Sequence, residues 1–342
     1  MAFHNFLILR TGAIGDVIHT LPFIKALANS LKYKKIVYAM SASLAPLMSY
    51  VSEIDEIVEL DLHTGLKGLW EQAHALKEID EFPRFSDLIN LQPHWKTHFI
   101  SGILRPKQVF TYNKKIHPEK HAWQNFALSY FKEDDHNFKE FSLPDNLPLI
   151  KLPLNIIIQK TQSVSFLGQT IAFILGVGKY RPHRAWPLKH WLQLLKLIES
   201  DQGLKPNIIL IGGEDEQKLA AEFMMALPDS SKIKITNLVG KLDLIGTAAV
   251  LSKCILAIGA DTGPTHLSAA LGIYTIGLFG PTSASRHAPF KGIALRSSNQ
   301  LLACAKDFNE KKCVRKVLNC MENLIPDQVW IATNSFLRLQ NK

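Results

Sequence analysis

Short apolar segments alternate with longer amphipathic segments along most of the chain, and this alternation constrains the fold more than any other feature. Segments such as FLILR (6–10) and IVYA (36–39) have the length and apolar character of buried strands. Stretches with helical periodicity lie between such segments, for example at 16–31 and 66–80. Strands that alternate with helices predict parallel sheets joined by right-handed crossovers. We therefore expect an α/β protein.

The alternation is interrupted once, between residues 142 and 170. Three prolines lie close together there, at Pro144, Pro148 and Pro153. Dense prolines are typical of a domain boundary or linker, because proline fits neither helix interiors nor central strands. The pattern then restarts, so we predict two α/β domains, 1–155 and 156–325, that face each other across a cleft. Residues 326–342 are predicted to form a final helix.

Composition excludes several classes of protein. The chain has 342 residues, 47% of them hydrophobic, which is enough for two cores and too apolar for a disordered chain. No apolar run approaches the roughly 18 residues that a membrane helix needs. The first residues lack the basic start of a secretory signal, and four cysteines are too few for a disulfide scaffold. We therefore expect a cytoplasmic protein.

The formal net charge is +9, which indicates an anionic partner such as phosphate, nucleic acid or an acidic membrane surface. Most of the excess lies in residues 161–342, which hold 21 basic and 13 acidic side chains. No recognised nucleic-acid-binding module occurs in the sequence, so nucleic acid is not an expected partner.

Asp16 is the first candidate for chemistry. It follows the strand at 6–10 and a turn that contains Gly12 and Gly15, at the start of a predicted helix. A carboxylate at the carboxyl end of a strand can act as a general base, but an Asp at a helix start is also a common cap. The turn lacks the G-x-G-x-x-G pattern of dinucleotide-binding proteins, which disfavours a nicotinamide dehydrogenase.

The segment CILAIGADTGPTHLSAALG (254–272) is the most informative stretch of the sequence. A predicted strand runs into Asp261 and Thr262, either of which can cap the helix that begins at Gly263. The free N–H groups and the dipole of that helix start favour an anion, and a diphosphate suits them. One turn further on, His266 either donates to a phosphate oxygen or is an interior residue with its own partner.

Two other loops of the second half suit a nucleotide. The loop at 175–191 carries no acid and four basic side chains, at Lys179, Arg181, Arg184 and Lys189. We expect an unpaired basic loop of this kind to clamp a phosphate; the alternative is a solvated loop. The segment IGGEDEQ (211–217) places Glu214, Asp215 and Glu216 at a helix start, where a carboxylate can accept hydrogen bonds from ribose hydroxyls.

Residues 94–121 form a basic segment in the first half, with six Lys or Arg side chains, four His and one acid. We predict that this segment receives an anionic acceptor; the alternative is a solvated surface. The side chains expected to bind the acceptor are Lys96, Arg105, Lys107 and His121. In the second half Cys304, Cys313 and Cys320 lack the close pairing of a zinc site, so no metal is expected.

The pairing of RTGAIGDVIHTLP (10–22) with ADTGPTHLSAALG (260–272) resembles glycosyltransferase family 9, the ADP-heptose:lipopolysaccharide heptosyltransferases. HRAWP (183–187) and IGGEDE (211–216) lie between them in the family's order, so the resemblance covers nearly the whole chain. It implies a GT-B fold, in which two Rossmann-like α/β domains hold the active site between them. It also implies that the acceptor binds the N-terminal half, that the donor binds the C-terminal half, and that no metal or cofactor is required.

The same resemblance assigns roles to residues, with Asp16 as the catalytic base. The residues expected at the donor site are Lys179, Arg184, Glu216, Leu242, Asp261, Thr262, Gly263 and His266. Arg184 stands where the family has a lysine that contacts the donor phosphate, and Leu242 stands where a residue contacts the adenine. The helix near 326–339 resembles one that crosses back to the first domain.

The resemblance implies an inverting transfer of heptose from ADP-heptose to the inner core of lipopolysaccharide. Asp16 would take the proton from the acceptor hydroxyl, and Arg184 with its basic neighbours would stabilise the charge on the leaving diphosphate. A peripheral contact with the inner face of the inner membrane is expected through the basic segment 94–121. Two alternatives stay open: sugar transfer to a protein or a different glycan, and a nucleotide-sugar-binding module without catalysis.

Overall fold

The chain divides into two compact units, Met1–Lys151 and Leu152–Lys342, in the computed structural model. This division falls in the stretch where prolines interrupt the sequence pattern. The exact domain bounds expected from the sequence stay a prediction. The residues that the structure describes are 4–30, 33–78, 87–113, 117, 119–132, 135, 143, 145, 147–166, 168–201, 203, 205–228, 231–297 and 320–340.

The first unit is an α/β layer structure built on one parallel sheet. Its described strands are β1 (His4–Leu9), β2 (Tyr33–Met40), β3 (Glu56–Glu59), β4 (Asp87–Asn90) and β5 (Gln108–Thr111). They pair in the order β3-β2-β1-β4-β5, and every pair is parallel. The described helices are α1 (Ile14–Ile18), α2 (Leu21–Ala28), α3 (Ala45–Met48), α4 (Leu66–Glu78), α5 (Trp95–Leu104) and α6 (Ala122–Ala127).

The second unit repeats this architecture with a six-stranded sheet. Its described strands are β6 (Thr170–Ile174), β7 (Asn207–Ile211), β8 (Ile235–Asn237), β9 (Leu256–Ala260), β10 (Tyr274–Phe279) and β11 (Gly292–Arg296). They pair in parallel in the order β11-β10-β9-β6-β7-β8. The described helices are α7 (Leu154–Thr161), α8 (Leu188–Ser200), α9 (Gln217–Met225), α10 (Leu244–Ser252), α11 (Gly263–Ala270), α12 (Ala284–His287) and α13 (Pro326–Gln340). Within the described residues, no helix is both long and apolar enough to cross a membrane.

The strand order places a crevice at the carboxyl edge of each sheet. In the first unit β1 lies between β2 and β4, and in the second unit β6 lies between β7 and β9. The loops after these central strands and their neighbours leave in opposite directions, and ligands of open α/β sheets bind at such a switch point. The loops that follow β1 and β4, and those that follow β6 and β9, are therefore the positions to examine for chemistry.

The first sheet is buried on both faces, as parallel sheets usually are. Phe6, Leu7, Ile8 and Leu9 of β1 have no exposed surface. Leu7 and Leu9 pack with side chains of α4 and α5, whereas the Phe6 ring meets that of Tyr130 at 5.5 Å between centroids. Because alternate residues of a strand face opposite sides of the sheet, both faces hold the carboxyl end of β1 in place.

Two buried tryptophans anchor the second core. Trp186 donates its indole N–H to the carbonyl oxygen of Leu324 at 2.8 Å, and its ring meets that of Trp191 at 4.9 Å between centroids. The final helix α13 packs on α8 and β10, with Phe336 stacked on Tyr274 at 4.3 Å. These contacts lie within the second unit, and the expected crossing of this helix to the first domain stays a prediction.

The helix predicted over 16–31 is two helices in the structure, which corrects that prediction. α1 ends at Ile18 and α2 begins at Leu21, with Pro22 in its first turn. Proline has no N–H to donate to the carbonyl four residues earlier, so one continuous helix would lose a hydrogen bond at this point. Thr20 lies between the two helices, and its hydroxyl donates a hydrogen bond to the carbonyl oxygen of Val17 at 2.7 Å.

A helix also forms inside the stretch predicted as a linker, between residues 142 and 170. α7 begins directly after Pro153, whose φ of −60° suits a helix start. Proline is disfavoured in helix interiors but not at helix beginnings. The density of prolines therefore predicts the break between the two domains but does not predict α7. α7 packs on α10, and Lys160 pairs with Asp243 at 2.5 Å.

Candidate active site

Asp16 lies on the short helix that follows β1 at the switch point of the first sheet. Ala13 occupies the N-cap of α1, and no side chain makes a capping hydrogen bond there. The Asp16 carboxylate pairs instead with Arg10, with 2.6 Å between Oδ2 and Nη2, and the Asp16 side chain is 42% exposed. The structure therefore disfavours the cap interpretation and leaves the carboxylate accessible for acid–base chemistry.

Arg10 connects this carboxylate to the neighbouring strand. Its Nη1 donates to the carbonyl oxygen of Leu91, just beyond β4, at 2.5 Å. The guanidinium lies over the ring of Phe126, 5.6 Å from the centroid, and the Arg10 side chain is only 12% exposed. An arginine held at three points is a rigid support, so the direction of the Asp16 carboxylate is fixed before any ligand binds.

A cavity of about 850 Å³ opens at this edge of the first sheet. The residues that follow β1, β2, β3 and β4 line it, among them Thr11, Gly12 and Ala13 from the loop that leads to Asp16. Gln92 ties that loop to β4, because its Oε1 accepts from the Thr11 backbone N–H at 2.9 Å and from the Thr11 hydroxyl at 3.0 Å. The loop that leads to Asp16 thus forms part of the cavity wall.

Two of the four predicted acceptor residues lie at this edge. Lys96 is in the first turn of α5 and donates to the carbonyl oxygens of Leu62 and Thr64. His121 caps α6, and its ring lies 5.2 Å from that of His19, directly after α1. Lys96 thus lies against the loop that follows β3, and His121 lies beside His19, three residues beyond Asp16.

The other two predicted acceptor residues lie elsewhere. Arg105 ends α5 in the left-handed conformation, with φ of 51°, and Lys107 directly precedes β5. They therefore lie at the amino edge of the sheet, opposite to the edge that carries Asp16. The structure does not bring the four residues of the predicted acceptor set together.

Asp261 is the centre of a buried ionic cluster in the second unit. It follows β9 and is 7% exposed. Its Oδ1 accepts from Nε2 of His266 at 2.8 Å, and its Oδ2 accepts from Nη1 of Arg184 at 3.0 Å. Thr262 is the N-cap residue of α11 but makes no capping bond through its side chain. Asp261 therefore holds two basic side chains beside the start of α11 and does not cap the helix.

The cluster fixes the charge of Asp261. Burial by itself would raise the pKa of this carboxyl. The hydrogen bond from His266 and the charge on that ring oppose burial, and the nearby His287 and Arg184 add to their effect. Together they hold the pKa of Asp261 far below its usual range. The carboxylate is thus negatively charged at neutral pH and keeps its basic partners in place.

A second cavity, of about 480 Å³, opens at the carboxyl edge of the second sheet. The loops after β6, β7 and β9 line it, and they include the predicted donor residues Glu216, Thr262 and Gly263. Glu216 joins two of these loops, since Oε1 accepts from the N–H of Gly178 at 2.6 Å and Oε2 from the N–H of Gly213 at 2.7 Å. The start of α11 therefore faces a space bounded by glycine turns, which suits a diphosphate.

Residues 91–318, more than half of the chain, match the profile of Glycosyltransferase family 9 (heptosyltransferase). The chain belongs to glycosyltransferase family 9. It is 25% identical to lipooligosaccharide heptosyltransferase 2 of Campylobacter jejuni over 323 residues, which cover 92% of this chain and 94% of that protein.

Two solved structures share the fold of this family-9 chain. One is the glycosyl transferase family 9 from Veillonella parvula, with a TM-score of 0.79, 18% identity and 98% of both chains covered. The other is E. coli ADP-heptose lps heptosyltransferase II, with a TM-score of 0.75, 17% identity, and 99% of this chain and 100% of that chain covered. These similarities and the two parallel-sheet units confirm the predicted GT-B fold. The family confirms the prediction that the chain is a glycosyltransferase.

The remaining donor predictions occupy the surroundings of the second cavity. Lys179 is exposed and follows the lining residue Gly178, with its Nζ 5.1 Å from the centre of the Tyr180 ring. Leu242 precedes Asp243, the N-cap residue of α10, and is not among the described residues that line the cavity. Their roles in this family-9 enzyme stay predictions.

Two of the four basic side chains in the loop at 175–191 are paired with acids, contrary to the expectation of an unpaired basic loop. Arg184 pairs with Asp261, and Lys189 pairs with Glu322 at 2.7 Å. Both acids lie far along the chain, so a local absence of Asp and Glu does not reveal them. The loop contributes a fixed cation at Arg184 rather than four free positive charges.

Sequence reasoning missed three residues that support the site. Arg10 and Gln92 hold the Asp16 loop, and His287 of α12 lies beside His266 with 6.5 Å between ring centroids. The available signal for Arg10 was its position, a charged residue directly after the apolar run FLIL (6–9). Gln92 and His287 carry no such signal, since only the fold brings them to their partners.

A metal-binding site can be assessed only in the part of the chain that the structure describes. Within it, no group of three or more His, Cys, Asp or Glu side chains is arranged to hold a metal ion. Cys304 and Cys313 lie outside the described residues. That this enzyme needs neither metal nor cofactor stays a prediction.

Proposed function

We propose that this chain is an inverting heptosyltransferase that moves a heptose from ADP-heptose to the inner core of lipopolysaccharide. Relatives named as heptosyltransferases of lipooligosaccharide in C. jejuni and of lipopolysaccharide in E. coli support this activity. The observation that carries the proposal is the cluster around Asp261, where a buried carboxylate holds Arg184 and His266 beside the start of α11.

The donor diphosphate is proposed to bind at the start of α11. The backbone there and the helix dipole favour a negative charge, and the glycine turns allow a ligand to approach the main chain closely. Arg184 is 18% exposed and has five N–H donors in a rigid fork, more than it uses on Asp261. Glu216 offers carboxylate oxygens at the cavity wall, where ribose hydroxyls can donate to them.

Asp16 is proposed to accept the proton of the acceptor hydroxyl. The acceptor oxygen then attacks the anomeric carbon of heptose, the bond from that carbon to the diphosphate breaks, and ADP leaves with the electron pair. A single displacement of this kind inverts the configuration at the carbon. Arg184, His266 and the start of α11 stabilise the charge that develops on the leaving phosphate, and they are fixed before the reaction begins.

The enzyme is proposed to work in the cytoplasm, in peripheral contact with the inner face of the inner membrane. Lipopolysaccharide is a glycolipid, so its acceptor end is presented at a membrane surface. The formal net charge of +9 favours approach to such an anionic surface.

Transfer of radiolabel from ADP-heptose to a defined core acceptor tests this function. We expect transfer with ADP-heptose, much slower transfer with UDP-sugars, and a product whose anomeric configuration by NMR is opposite to that of the donor. Transfer from a UDP-sugar only, or with retained configuration, would contradict the proposal. Transfer only to a protein would favour the protein-acceptor alternative, and ADP-heptose binding without transfer to any acceptor would favour a binding module.

A further inference from the structure

The side chains that line the cavity of the first unit indicate which class of acceptor sugar can bind there. We propose, on the basis of the proposed function, that the acceptor group entering this cavity is an uncharged polyhydroxylated sugar rather than one carrying a carboxylate or a phosphate. This differs from the anionic acceptor expected from the basic segment 94–121, because the side chains of that segment's four predicted acceptor residues are absent from the described lining.

The polar lining of the cavity consists of hydroxyls, amides, an imidazole and carboxylates. Thr11, Ser41 and Ser43 supply hydroxyls, and Glu59 and Asp61 supply two carboxylates. No Lys or Arg lines the cavity among the residues described. Within the described lining, an anionic sugar would face two like charges without a compensating cation, whereas sugar hydroxyls find both donors and acceptors there.

Two cations at this edge of the sheet are engaged by other groups. Arg10 is paired with Asp16 and donates to the carbonyl of Leu91. Lys96 directs its ammonium group to the carbonyls of Leu62 and Thr64. Neither cation is therefore placed to neutralise an acidic sugar in the cavity.

Asp61 is held in position to bind a sugar hydroxyl. Its backbone N–H donates to Oε1 of Gln72 at 2.7 Å, and its Oδ1 accepts from the backbone N–H of His63 at 2.7 Å. Nε2 of Gln72 donates back to the Asp61 carbonyl at 3.1 Å. Among the described residues, none bonds to Oδ2 of Asp61, so the turn presents one oriented carboxylate oxygen to a ligand.

The test compares two core oligosaccharide acceptors that differ only in the acceptor sugar, one uncharged and one carrying a carboxylate. With ADP-heptose as donor, the uncharged acceptor should have a kcat/KM higher by about tenfold, since a hydrogen bond to a charged group is replaced by repulsion. Asp61→Lys should reverse this preference without changing the dissociation constant of ADP. Glu71→Gln, an exposed change on α4 outside the lining, is the matched control and should leave the preference unchanged.

A wild-type preference for the carboxylate acceptor, equal use of both, or an unchanged preference in Asp61→Lys would overturn the inference. If neither acceptor receives sugar, the proposed function fails. Saturation-transfer NMR of the two saccharides with the full chain and no donor then still decides the inference. Stronger binding of the uncharged saccharide supports it, and equal or weaker binding overturns it.

Discussion

Replacing Asp261 with Asn should lower the free energy of unfolding of the second unit. The carboxylate is 7% exposed, and its two oxygens accept separately from His266 and Arg184, at 2.8 and 3.0 Å. An Asn amide has one oxygen and one NH₂ group, so one basic partner would face another donor. Removing one partner of a buried ion pair costs about 3–5 kcal/mol. Because Arg184 is 18% exposed, we expect about 3 kcal/mol, the low end of that range.

Urea unfolding followed by tryptophan fluorescence measures this loss, since Trp186 and Trp191 are buried in the same unit. With a slope near 3 kcal/mol per molar urea, the midpoint should fall by about 1 M. Asp215→Asn is the matched control, because Asp215 is exposed, and its midpoint should stay within about 0.2 M of the wild-type value.

The cause of the loss can be tested in the same assay. Adding Arg184→Met to Asp261→Asn removes the unpaired buried charge and should restore part of the lost stability. A midpoint for Asp261→Asn equal to that of the wild type would refute the assignment of a stabilising buried ion pair. A double variant no more stable than Asp261→Asn would refute the unpaired charge as the cause.

Two further predictions follow from the second unit. Because the folded-state pKa of Asp261 is depressed, its stabilisation is fully present above the ordinary carboxyl pKa of about 3.9 and is lost as the pH falls through the folded-state value. The difference in free energy of unfolding between wild type and Asp261→Asn should therefore shrink below about pH 4. A difference that stays unchanged between about pH 5 and pH 3 would contradict this prediction. At Gly176 an added Cβ would lie 1.7 Å from Cγ of Glu216. Gly176→Ala should therefore weaken ADP binding, measured by calorimetry, by about tenfold or more. The control is Gly65→Ala, which has nothing within 4 Å of an added Cβ and should leave ADP binding unchanged.

The sequence predicts most of the strands and the turns between strands and helices because these depend on local patterns. Gly272, for example, follows α11 in the left-handed region with a φ of 82°, a position at which glycine commonly ends a helix. The roles of Asp261 and Arg184 depend instead on a contact between residues far apart in the chain. No local pattern distinguishes a capping Asp from one that binds a distant arginine. The structure excludes the cap that Asp261 could have formed, and the free cation expected at Arg184 is wrong.

The predicted acceptor set illustrates a second limit. Residues 94–121 form one basic segment in the sequence, but the chain crosses the first sheet twice within them. Lys96 and His121 follow the carboxyl ends of β4 and β5, whereas Arg105 and Lys107 precede the amino end of β5. In a parallel sheet successive loops lie at opposite edges, so a charge cluster that spans both loops divides between the two edges.

Asp16→Asn tests most directly whether Asp16 acts as the base for the acceptor while the second unit binds the donor. The two measurements are the rate of heptose transfer from ADP-heptose and the dissociation constant of ADP, both on the full chain. We expect the rate to fall by about 10² to 10⁴, the usual contribution of a general base, and the dissociation constant to change by less than about twofold, because Asp16 belongs to the other unit. Transfer within about tenfold of the wild-type rate, with ADP binding intact, would contradict the mechanism.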